Sequence, residues 1–249
     1  MRFADPLIRA TLIRRYKRFL ADVRLEDGTT VVAHCPNPGS MMGLQTSGSE
    51  IWLSPARSAS RSLRYTLELV RVPSGLVGVH TGHPNRIAEE AIRGGSIPEL
   101  AEYASIRREV PYGRNSRIDL LLEASRQPAC LVEVKNVHLK RDGDGSAGFA
   151  EFPDSVTARG TKHLAELADA VQEGRRAVML YIVQRADCDR FRLAEDIDPA
   201  YARAFESALS RGVEALCYGC TVTCHSIDVA RRLPIETGAV LARPAKRRN

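Results

Sequence analysis

Two acidic residues interrupt apolar segments near the middle of the chain. Asp119 lies in the segment 118–122, and Glu133 precedes Val134 and Lys135 in the next apolar segment. Burying a carboxylate in such a segment is costly unless a cation compensates its charge. An aspartate and a glutamate at the ends of adjacent strands therefore predict a metal site for Mg²⁺, with Mn²⁺ as the other candidate. Because side chains alternate along a strand, Glu133 and Lys135 are expected on one face.

Phosphodiester hydrolysis is the chemistry that suits these three residues. A cation held by Asp119 and Glu133 would polarise a phosphate oxygen and lower the pKa of a bound water. Lys135 would orient that water or stabilise the developing charge. The structural alternative is that Glu133 and Lys135 form an ordinary charge pair on an edge strand while Asp119 caps a turn. The three residues alone leave both interpretations open.

The order of the flanking elements favours the catalytic interpretation. A predicted helix that carries Glu89 and Glu90 precedes the two strands. A second predicted helix, which begins with Arg159, Lys162 and His163, follows them. This is the order of a restriction-endonuclease-like core. The first helix can add a third metal-binding carboxylate, with Glu89 preferred over Glu90, and the second can direct Lys162 or His163 at a phosphate.

The elements that position these residues divide the chain of 249 residues into two units. Residues 1–82 are predicted to form a five-stranded, OB-like β-barrel with strands near 19–25, 30–33, 51–53, 65–72 and 76–79. Asp27 and Gly28 supply the turn of its first hairpin. Residues 83–249 are predicted to form a restriction-endonuclease-like α/β domain with a mixed sheet, so that the fold class is α/β (α+β).

Helices and strands alternate in the second unit. Ile87, Ala88, Ala91 and Ile92 share one face of a helix that Gly94 ends. Two further helices are predicted, one capped by Ser155 or Thr157 and running to 173, and one over 199–210. The predicted strands cover 106–110, 117–122, 130–137, 177–184 and 214–223. Residues 140–148 are predicted to form a loop, with Asn115 in a turn and a frayed basic end from Arg243.

A basic cluster near the start of the chain indicates contact with phosphates. The chain has a net charge of +6, and its densest early group of cations surrounds Tyr16 and consists of Arg14, Arg15, Lys17 and Arg18. An exposed aromatic ring in this group could stack on a base. Strand alternation places Tyr16 and Phe19 on opposite sides, and we predict that Phe19 is the core residue. Trp52 is also predicted to be a barrel core residue.

The cysteines point to a reducing compartment rather than to a metal. Six of them are spread unevenly along a chain that is large enough to fold without disulfides. Cys217, Cys220, Cys224 and His225 superficially resemble a zinc site, but they lie along one predicted strand, and this interpretation is discounted. Cys35 is interpreted as a buried thiol. No apolar run could span a membrane, which predicts a cytoplasmic protein.

Several sequence blocks in fixed order resemble the sugar fermentation stimulation protein A family. They cover nearly the whole chain and comprise residues 12–19, 34–41, 115–119, 132–137, 152–154 and 159–164. The resemblance implies an OB-fold domain, a PD-(D/E)xK nuclease-like domain and DNA binding without strong sequence preference. Asp119, Glu133 and Lys135 match the nuclease signature directly, whereas Glu89 matches only by its place on the preceding helix. The implied nucleic-acid contacts are the basic cluster with Tyr16, together with Arg117, Arg159, Lys162 and His163.

Three functional hypotheses follow. The first is a DNA-binding protein with a Mg²⁺-dependent nuclease site, as a monomer or a homodimer. The second is a non-catalytic DNA-binding regulator of sugar metabolism genes, because the resemblance also implies a regulatory role in maltose metabolism. The third, an enzyme that acts on a sugar, is supported by the family's name and by no residue, and it ranks last.

Overall fold

The computed structural model describes residues 1–58, 60–113, 116–141, 143 and 147–236. Asn115, four residues of the predicted 140–148 loop and the basic end from Arg243 lie outside these ranges. Among the described helices, none is both long and apolar enough to cross a membrane.

The N-terminal unit is a closed β-barrel. Its strands are β1 Ile8–Tyr16, β2 Leu20–Leu25, β3 Thr30–His34, β4 Glu50–Pro55, β5 Tyr65–Val72 and β6 Gly75–Gly78. They pair in the order β3-β2-β1-β4-β5-β6, and a parallel bridge between His34 and Thr66 joins β3 to β5. The first five strands therefore form the ring, and β6 lies outside it as the second arm of a hairpin with β5.

The five-stranded barrel predicted from the sequence is confirmed, but its membership differs from the prediction. β1 was not predicted, and the predicted fifth strand is β6, which lies outside the ring. In β1 only Ala10 and Leu12 are buried, and arginines occupy much of the rest. Ile8, Ala10 and Leu12 alternate with polar residues, but Ile13 and the two arginines that follow break this pattern, where the pairing with β2 also shifts its register.

The C-terminal unit is a mixed α/β domain. Its main sheet has the order β14-β13-β11-β9-β8-β7, and β9, β11 and β13 are parallel to one another. A small parallel sheet has the order β10-β12-β15. The elements are α1 Pro84–Arg93, a 3-10 helix Pro98–Leu100, β7 Ser105–Tyr112, β8 Ser116–Ala124, β9 Gln127–Val137, β10 Phe149–Phe152, α2 Ala158–Gln172, β11 Arg176–Val183, β12 Arg190–Leu193, α3 Pro199–Ser210, β13 Glu214–Val222, β14 Ile227–Arg232 and β15 Ile235–Glu236.

The predicted mixed α/β architecture is confirmed, with its three helices and five of its strands in the expected order. Of the two candidate caps for α2, the side chain of Thr157 accepts the hydrogen bond from the Gly160 N–H at 3.1 Å. The strands β10, β12, β14 and β15 were not predicted. They are two to six residues long and rich in charged residues, so their apolar pattern is too short to detect.

β9 lies in the centre of the main sheet, between β8 and β11. Val132 and Val134 belong to the apolar cluster on the α1 side of the sheet. Glu133 and Lys135 occupy the alternate positions and point towards α2 on the opposite side. The edge-strand interpretation of this charge pair is therefore wrong, and a charged pair in the middle of a sheet needs another explanation.

The two units share an apolar core. Trp52 and Leu69 on the outside of the barrel belong to the same buried cluster as Ile87 and Ile92 of α1. Trp52 is thus a core residue, as predicted, but it lies at the junction between the units rather than inside the barrel. The N-terminal amine of Met1 adds a hydrogen bond to the carbonyl of Ile227 at 2.7 Å.

The prediction that Phe19 belongs to the core is wrong. Its side chain is 45% exposed, in the turn between β1 and β2. Lys17 and Arg18, with φ angles of 48° and 62°, adopt the left-handed conformation there. Two such residues end the alternation on which the prediction depended. Lys17, Arg18 and Phe19 are therefore all presented to solvent, and we call them the β1–β2 turn.

Candidate active site

The carboxylate of Glu133 is buried and only half satisfied. Its side chain is 3% exposed. Oε1 accepts hydrogen bonds from Lys135 Nζ at 2.7 Å and from His163 Nδ1. Oε2 is buried without a hydrogen-bond partner among the described residues. Burial alone would raise the pKa of Glu133, but the hydrogen bond from His163 and the charge of Lys135 outweigh it and hold the pKa below its usual value.

Asp119 lies beside Glu133 on the neighbouring strand β8. Its Oδ2 accepts a hydrogen bond from the Val134 N–H at 2.8 Å, and its Oδ1 accepts one from Asn85 Nδ2 at 2.8 Å. Burial and the negative charge of Glu133 raise the pKa of Asp119 to about 6. Two carboxylates that repel each other in a poorly solvated place favour a cation between them.

A second acidic side chain faces Asp119 across the strand pair. Arg108 pairs with Leu120, and Val110 pairs with Ile118, so Glu109 lies opposite Asp119 in the register of β7 and β8. Asn85 Nδ2 lies 3.5 Å from the carboxylate of Glu109 and 2.8 Å from that of Asp119.

The backbone at Glu109 is unusual. Its φ angle is 52°, which a residue other than glycine rarely adopts inside a strand. Its carbonyl accepts a hydrogen bond from Arg117 Nη1 at 2.9 Å. The predicted phosphate contact Arg117 thus holds the kink that brings Glu109 to Asn85.

Tyr112, at the end of β7, contributes another unsatisfied polar atom. Its side chain is largely buried, and its hydroxyl has no hydrogen-bond partner within the described part of the chain. Burial and the negative charges of Glu133, Glu166 and Asp119 raise its pKa. The hydroxyl therefore lies near the acidic side chains. It could donate a hydrogen bond to a water or an anion that binds beside them.

Three of the predicted phosphate contacts lie at the start of α2. Arg159 Nε donates to His163 Nε2 at 3.3 Å, and His163 in turn contacts Glu133. Lys162 Nζ donates to Ser116 Oγ at 3.2 Å and is 3.5 Å from the carboxylate of Glu166. The helix thus fixes Glu133 through His163 and places a cation at the edge of the acidic site.

The structure does not bring Glu89 to Asp119. The carboxylate of Glu89 is held by Arg93 at 2.9 Å and by Arg108. Glu90 contacts the N-terminal amine of Met1 at 3.1 Å and Arg86 at 2.7 Å. The residue of α1 that reaches Asp119 is Asn85, one turn before Glu89.

The basic cluster of the barrel divides into two groups. Arg15 points inwards and donates to the carbonyls of Asn37 at 2.7 Å and Gly39 at 2.9 Å, which holds the loop after β3. Arg14 pairs with Asp22 at 2.7 Å, and the hydroxyl of Tyr16 donates to the same carboxylate at 2.9 Å. These three side chains are engaged within the barrel, unlike those of the β1–β2 turn.

Arg18 of the β1–β2 turn lines a cavity between the two units. The cavity has a volume of about 700 Å³, and Arg18 lines it together with Asn136 of β9 and Thr157 at the start of α2. Asn136 follows Lys135 directly in the sequence. Alternation along β9 points Asn136 to the opposite face from Lys135, so the cavity borders the strand and the helix of the acidic site, but none of the acidic residues of that site lines it.

The cysteine-rich segment does not form a metal site. Cys217 and Cys220 are buried in the apolar clusters on opposite faces of the main sheet. All six cysteines are free thiols, and Cys35 is fully buried, as expected. Across the described ranges, the one group of three or more His, Cys or acidic side chains with ligand atoms within 4.8 Å is Glu68, His80 and His83.

Sequence patterns missed three residues of the acidic site. Asn85 and Tyr112 are uncharged and gave no signal of their own, although Asn85 lies on the predicted helix on the same face as Glu89. Glu109 lies in a predicted strand, and its relation to Asp119 depends on the register of β7 and β8. A systematic pairing of the predicted strands would have been needed to find it.

Two family models match the chain. The model described as the sugar fermentation stimulation protein RE domain matches residues 82–226, and the model of the SfsA N-terminal OB domain matches residues 13–79. The predicted domain boundary between residues 82 and 83 falls in the turn before α1.

Full-length relatives agree with the models. The chain is 60% identical over 236 residues to a sugar fermentation stimulation protein homolog of Paramagnetospirillum magneticum, covering 95% of this chain and 98% of the relative. It is 59% identical to the homolog of Rhodospirillum centenum, of which it covers 100%. The solved structure of Pyrococcus furiosus SfsA in complex with Ca²⁺ matches with a TM-score of 0.83 and 26% identity, covering 95% of this chain and 98% of the other. The chain belongs to the sugar fermentation stimulation protein family, with an OB domain followed by a restriction-endonuclease-like domain.

Proposed function

We propose that this protein binds DNA without sequence preference and hydrolyses phosphodiester bonds at a Mg²⁺ site formed by Asp119 and Glu133. The observation that carries the proposal is the Oε2 atom of Glu133, which is buried without a partner while Oε1 is held from two sides. A buried carboxylate oxygen without a donor is costly, and a divalent cation would satisfy it.

The residues present fit a hard cation. Asp119 and Glu133 offer carboxylate oxygens, which are the ligands that Mg²⁺ and Mn²⁺ prefer. The raised pKa of Asp119 has the same cause, since its charge lacks full compensation within the protein. The relative from Pyrococcus furiosus is in complex with Ca²⁺, another cation that prefers oxygen ligands. When bound, such an ion would activate water and stabilise charge on the phosphate.

The side chains of the protein supply position and charge. His163 and Lys135 fix the orientation of Glu133, while the Val134 N–H and Asn85 fix that of Asp119. The ammonium of Lys135 lies next to the site and can stabilise negative charge on a phosphate. Tyr112 offers a hydroxyl without a partner that can donate to a phosphate oxygen or a water.

The third acidic group of the site is Glu109 in this proposal. It lies opposite Asp119 and shares the amide of Asn85 with it. Glu89, which the helix pattern favoured, is neutralised by Arg93 and Arg108 and would have to leave both arginines to bind a metal. A strained φ angle that is held by Arg117 fits a residue whose position matters for function.

Nucleic acid would contact both the β1–β2 turn and the start of α2, since Arg18 and Thr157 line the same cavity between the units. Lys17 and Arg18 of the β1–β2 turn are exposed and can contact phosphates, and the exposed ring of Phe19 can stack on a base. Lys162 and Arg159 extend the basic path along α2. DNA is the proposed substrate, and the contacts involve the backbone rather than the base edges, which gives no sequence preference.

A nuclease assay tests this proposal. Purified protein with Mg²⁺ or Mn²⁺ is incubated with single-stranded and double-stranded DNA and with RNA. Removing one group that stabilises the transition state typically lowers a rate about 10²- to 10³-fold, and we expect D119N and E133Q to lose cleavage by at least that factor while still binding DNA.

E90Q is the matched control, since Glu90 lies on the other side of α1 beside the N-terminus and should not affect cleavage. A comparison of E109Q with E89Q then identifies the third acidic group. No cleavage of any substrate by the wild-type protein would refute the enzymatic part.

The second candidate function is DNA binding without catalysis, as in a transcriptional regulator. It is favoured by the β1–β2 turn, whose exposed cations and aromatic ring do not depend on the acidic site. In this case binding would be strongly salt-dependent and unchanged by EDTA. Equal affinities of the wild-type protein, D119N and E133Q for DNA, together with no cleavage, would favour this function over the first.

A further inference from the structure

A cluster of two histidines and a glutamate lies where the barrel meets the C-terminal domain, apart from the acidic site. Glu68 belongs to β5 of the barrel, His80 follows β6, and His83 immediately precedes α1. One ligand atom of each lies within 4.8 Å of the others. The imidazole rings of His80 and His83 are stacked with their centroids 4.0 Å apart.

We propose that Glu68, His80 and His83 form a binding site for a transition metal ion of the Zn²⁺ class at this junction. Two imidazoles and one carboxylate are a common ligand set for such ions in proteins. Mg²⁺ and Ca²⁺ prefer oxygen ligands, so this site and the acidic site would select different metals.

Glu68 is already oriented as a metal ligand. Its side chain is 5% exposed, and its Oε1 accepts a hydrogen bond from Ser54 Oγ at 2.6 Å. Its Oε2 lies 2.7 Å from His83 Nε2. A buried carboxylate with one oxygen fixed by a hydroxyl and the other directed at an imidazole has the outer-shell support that metal ligands usually have. The metal would replace the contact between Glu68 and His83.

His80 needs one local change. Its Nδ1 now accepts a hydrogen bond from the Gly82 N–H at 3.0 Å. Both residues lie in the turn between β6 and α1, where Gly82 is exposed, so the ring can give up this bond and turn towards Glu68 and His83. Zinc sites with three protein ligands keep an open position for a water or a substrate group.

The open position would face a cavity of about 370 Å³ that Glu68 and His83 line together with Arg61 and Arg86. Arg86 is paired with Glu90, whereas the guanidinium of Arg61 favours an anion, such as a carboxylate or a phosphate, at the open position. Because Glu68 belongs to the barrel and His83 to the start of the next domain, a bound metal would also link the two units. A ligand that binds only the folded state stabilises it.

Calorimetry with the full chain, after dialysis against EDTA, tests the proposal with Zn²⁺ alone as the probe. We expect one equivalent of Zn²⁺ to bind and excess Ca²⁺ not to displace it. Loss of outer-shell support alone costs 10- to 100-fold in metal affinity, so H80A and H83Q, which remove a ligand, should weaken binding by about 100-fold or more. The D119N variant should bind Zn²⁺ like the wild-type protein, because its change lies in the other site.

H225Q is the matched control, since it removes a histidine beside Cys224 and should leave binding unchanged. The absorption spectrum of the intact protein with Co²⁺ needs no substitution and should show d–d bands without a thiolate charge-transfer band. The proposal is overturned if the wild-type protein binds no stoichiometric Zn²⁺, which would leave only the hydrogen bond between His83 and Glu68. It is also overturned if H80A and H83Q bind Zn²⁺ as tightly as the wild-type protein while folded by circular dichroism, or if Co²⁺ shows thiolate ligation.

Discussion

Two buried glutamates of the C-terminal domain differ in how fully their carboxylates are hydrogen-bonded. Glu151 is inaccessible to solvent, and both of its oxygens are held by arginines: Arg141 donates to each of them at 2.6 and 2.9 Å, and Arg192 donates to Oε1 at 2.8 Å. Glu133 is buried to a similar degree, but its Oε2 has no donor among the residues of the described ranges.

The comparison distinguishes a carboxylate that the protein compensates fully from one whose surroundings fit the proposed metal site. The charge of Glu151 is compensated within the protein, and its arginines tie β10 to β12 in the small sheet. The charge of Glu133 is compensated on one side only, next to an aspartate whose pKa is raised. A protein that retains an incompletely satisfied carboxylate in its core has another use for it, such as binding a ligand.

The largest expected effect on stability follows directly from this difference. Removing one partner of a buried ion pair costs about 3–5 kcal/mol, and we expect E151Q to lower the free energy of unfolding by that amount. E133Q removes the negative charge that Lys135 and His163 contact, but Oε2 has no partner to lose, so we expect a smaller cost of about 1.5–3 kcal/mol, the range of a hydrogen bond to a charged group. Urea unfolding of both variants in EDTA measures the two values. Equal losses of stability would remove the distinction between the two glutamates.

Arg15 and Arg18 of the barrel differ in the same way, since one is bonded within the protein and the other is exposed. The expected loss of stability is smaller than for E151Q. Arg15 donates to the carbonyls of Asn37 and Gly39, and hydrogen bonds from charged groups contribute about 1.5–3 kcal/mol. We expect R15A to lose stability in this range, whereas R18A, in the exposed turn, should lose almost none. The midpoint of urea denaturation compares the two variants, and a destabilised R18A would contradict the assignment.

For DNA binding we expect the exposed cations of the β1–β2 turn to contribute more than Arg15. Each phosphate contact contributes about 0.9 to the slope of log K against log salt concentration, so the double variant K17A/R18A should reduce the slope by about 1.8. We expect roughly a tenfold loss of affinity in low salt, since two exposed cations leave the interface. Fluorescence anisotropy with a labelled duplex at several salt concentrations measures both quantities. An unchanged slope would show that Lys17 and Arg18 of the β1–β2 turn do not contact DNA phosphates.

Asp119 is expected to destabilise the metal-free protein near neutral pH. Its pKa is raised from 3.8 to about 6, so between these pH values the folded state binds more protons than the unfolded state. The stability that Asp119 contributes therefore falls as the pH rises through this window. D119N lacks this loss, and because about two pKa units correspond to about 3 kcal/mol, it should be more stable than the wild-type protein by up to that amount at pH 7, with the difference vanishing near pH 4.

Thermal unfolding in EDTA at pH 4, 5, 6 and 7 measures this difference. Addition of Mg²⁺ should reverse the order at pH 7, because only the wild-type protein retains both metal-binding carboxylates. A D119N variant that is less stable than the wild-type protein at pH 7 in EDTA would show that Asp119 is fully compensated without a metal.

The sequence was sufficient for features that depend on local pattern. The apolar face of α1, the hairpin turn at Asp27 and Gly28, and the presence of Asp119 and Glu133 in adjacent apolar strands all follow from periodicity, although both acids lie within their strands rather than at the predicted ends. Glu133 and Lys135 share a face because strand geometry requires it.

Features that depend on register or on long-range pairing could not be predicted. The position of Glu109 opposite Asp119 requires the alignment of β7 and β8. The ion pair that holds Glu89 away from Asp119 involves Arg108, which lies 19 residues away in the chain. The left-handed turn that exposes Phe19 consists of Lys17 and Arg18 rather than glycine or asparagine, so no turn signal marked it.

Anomalous diffraction from crystals soaked in Mn²⁺ tests whether Asp119 and Glu133 bind a metal ion. We expect a single strong peak between the carboxylates of Asp119 and Glu133, with Oε2 of Glu133 at about 2.2 Å from the ion, and no such peak in crystals of E133Q. Crystals of the wild-type protein at saturating Mn²⁺ without density there, or a peak that persists in E133Q, would contradict the proposed metal site.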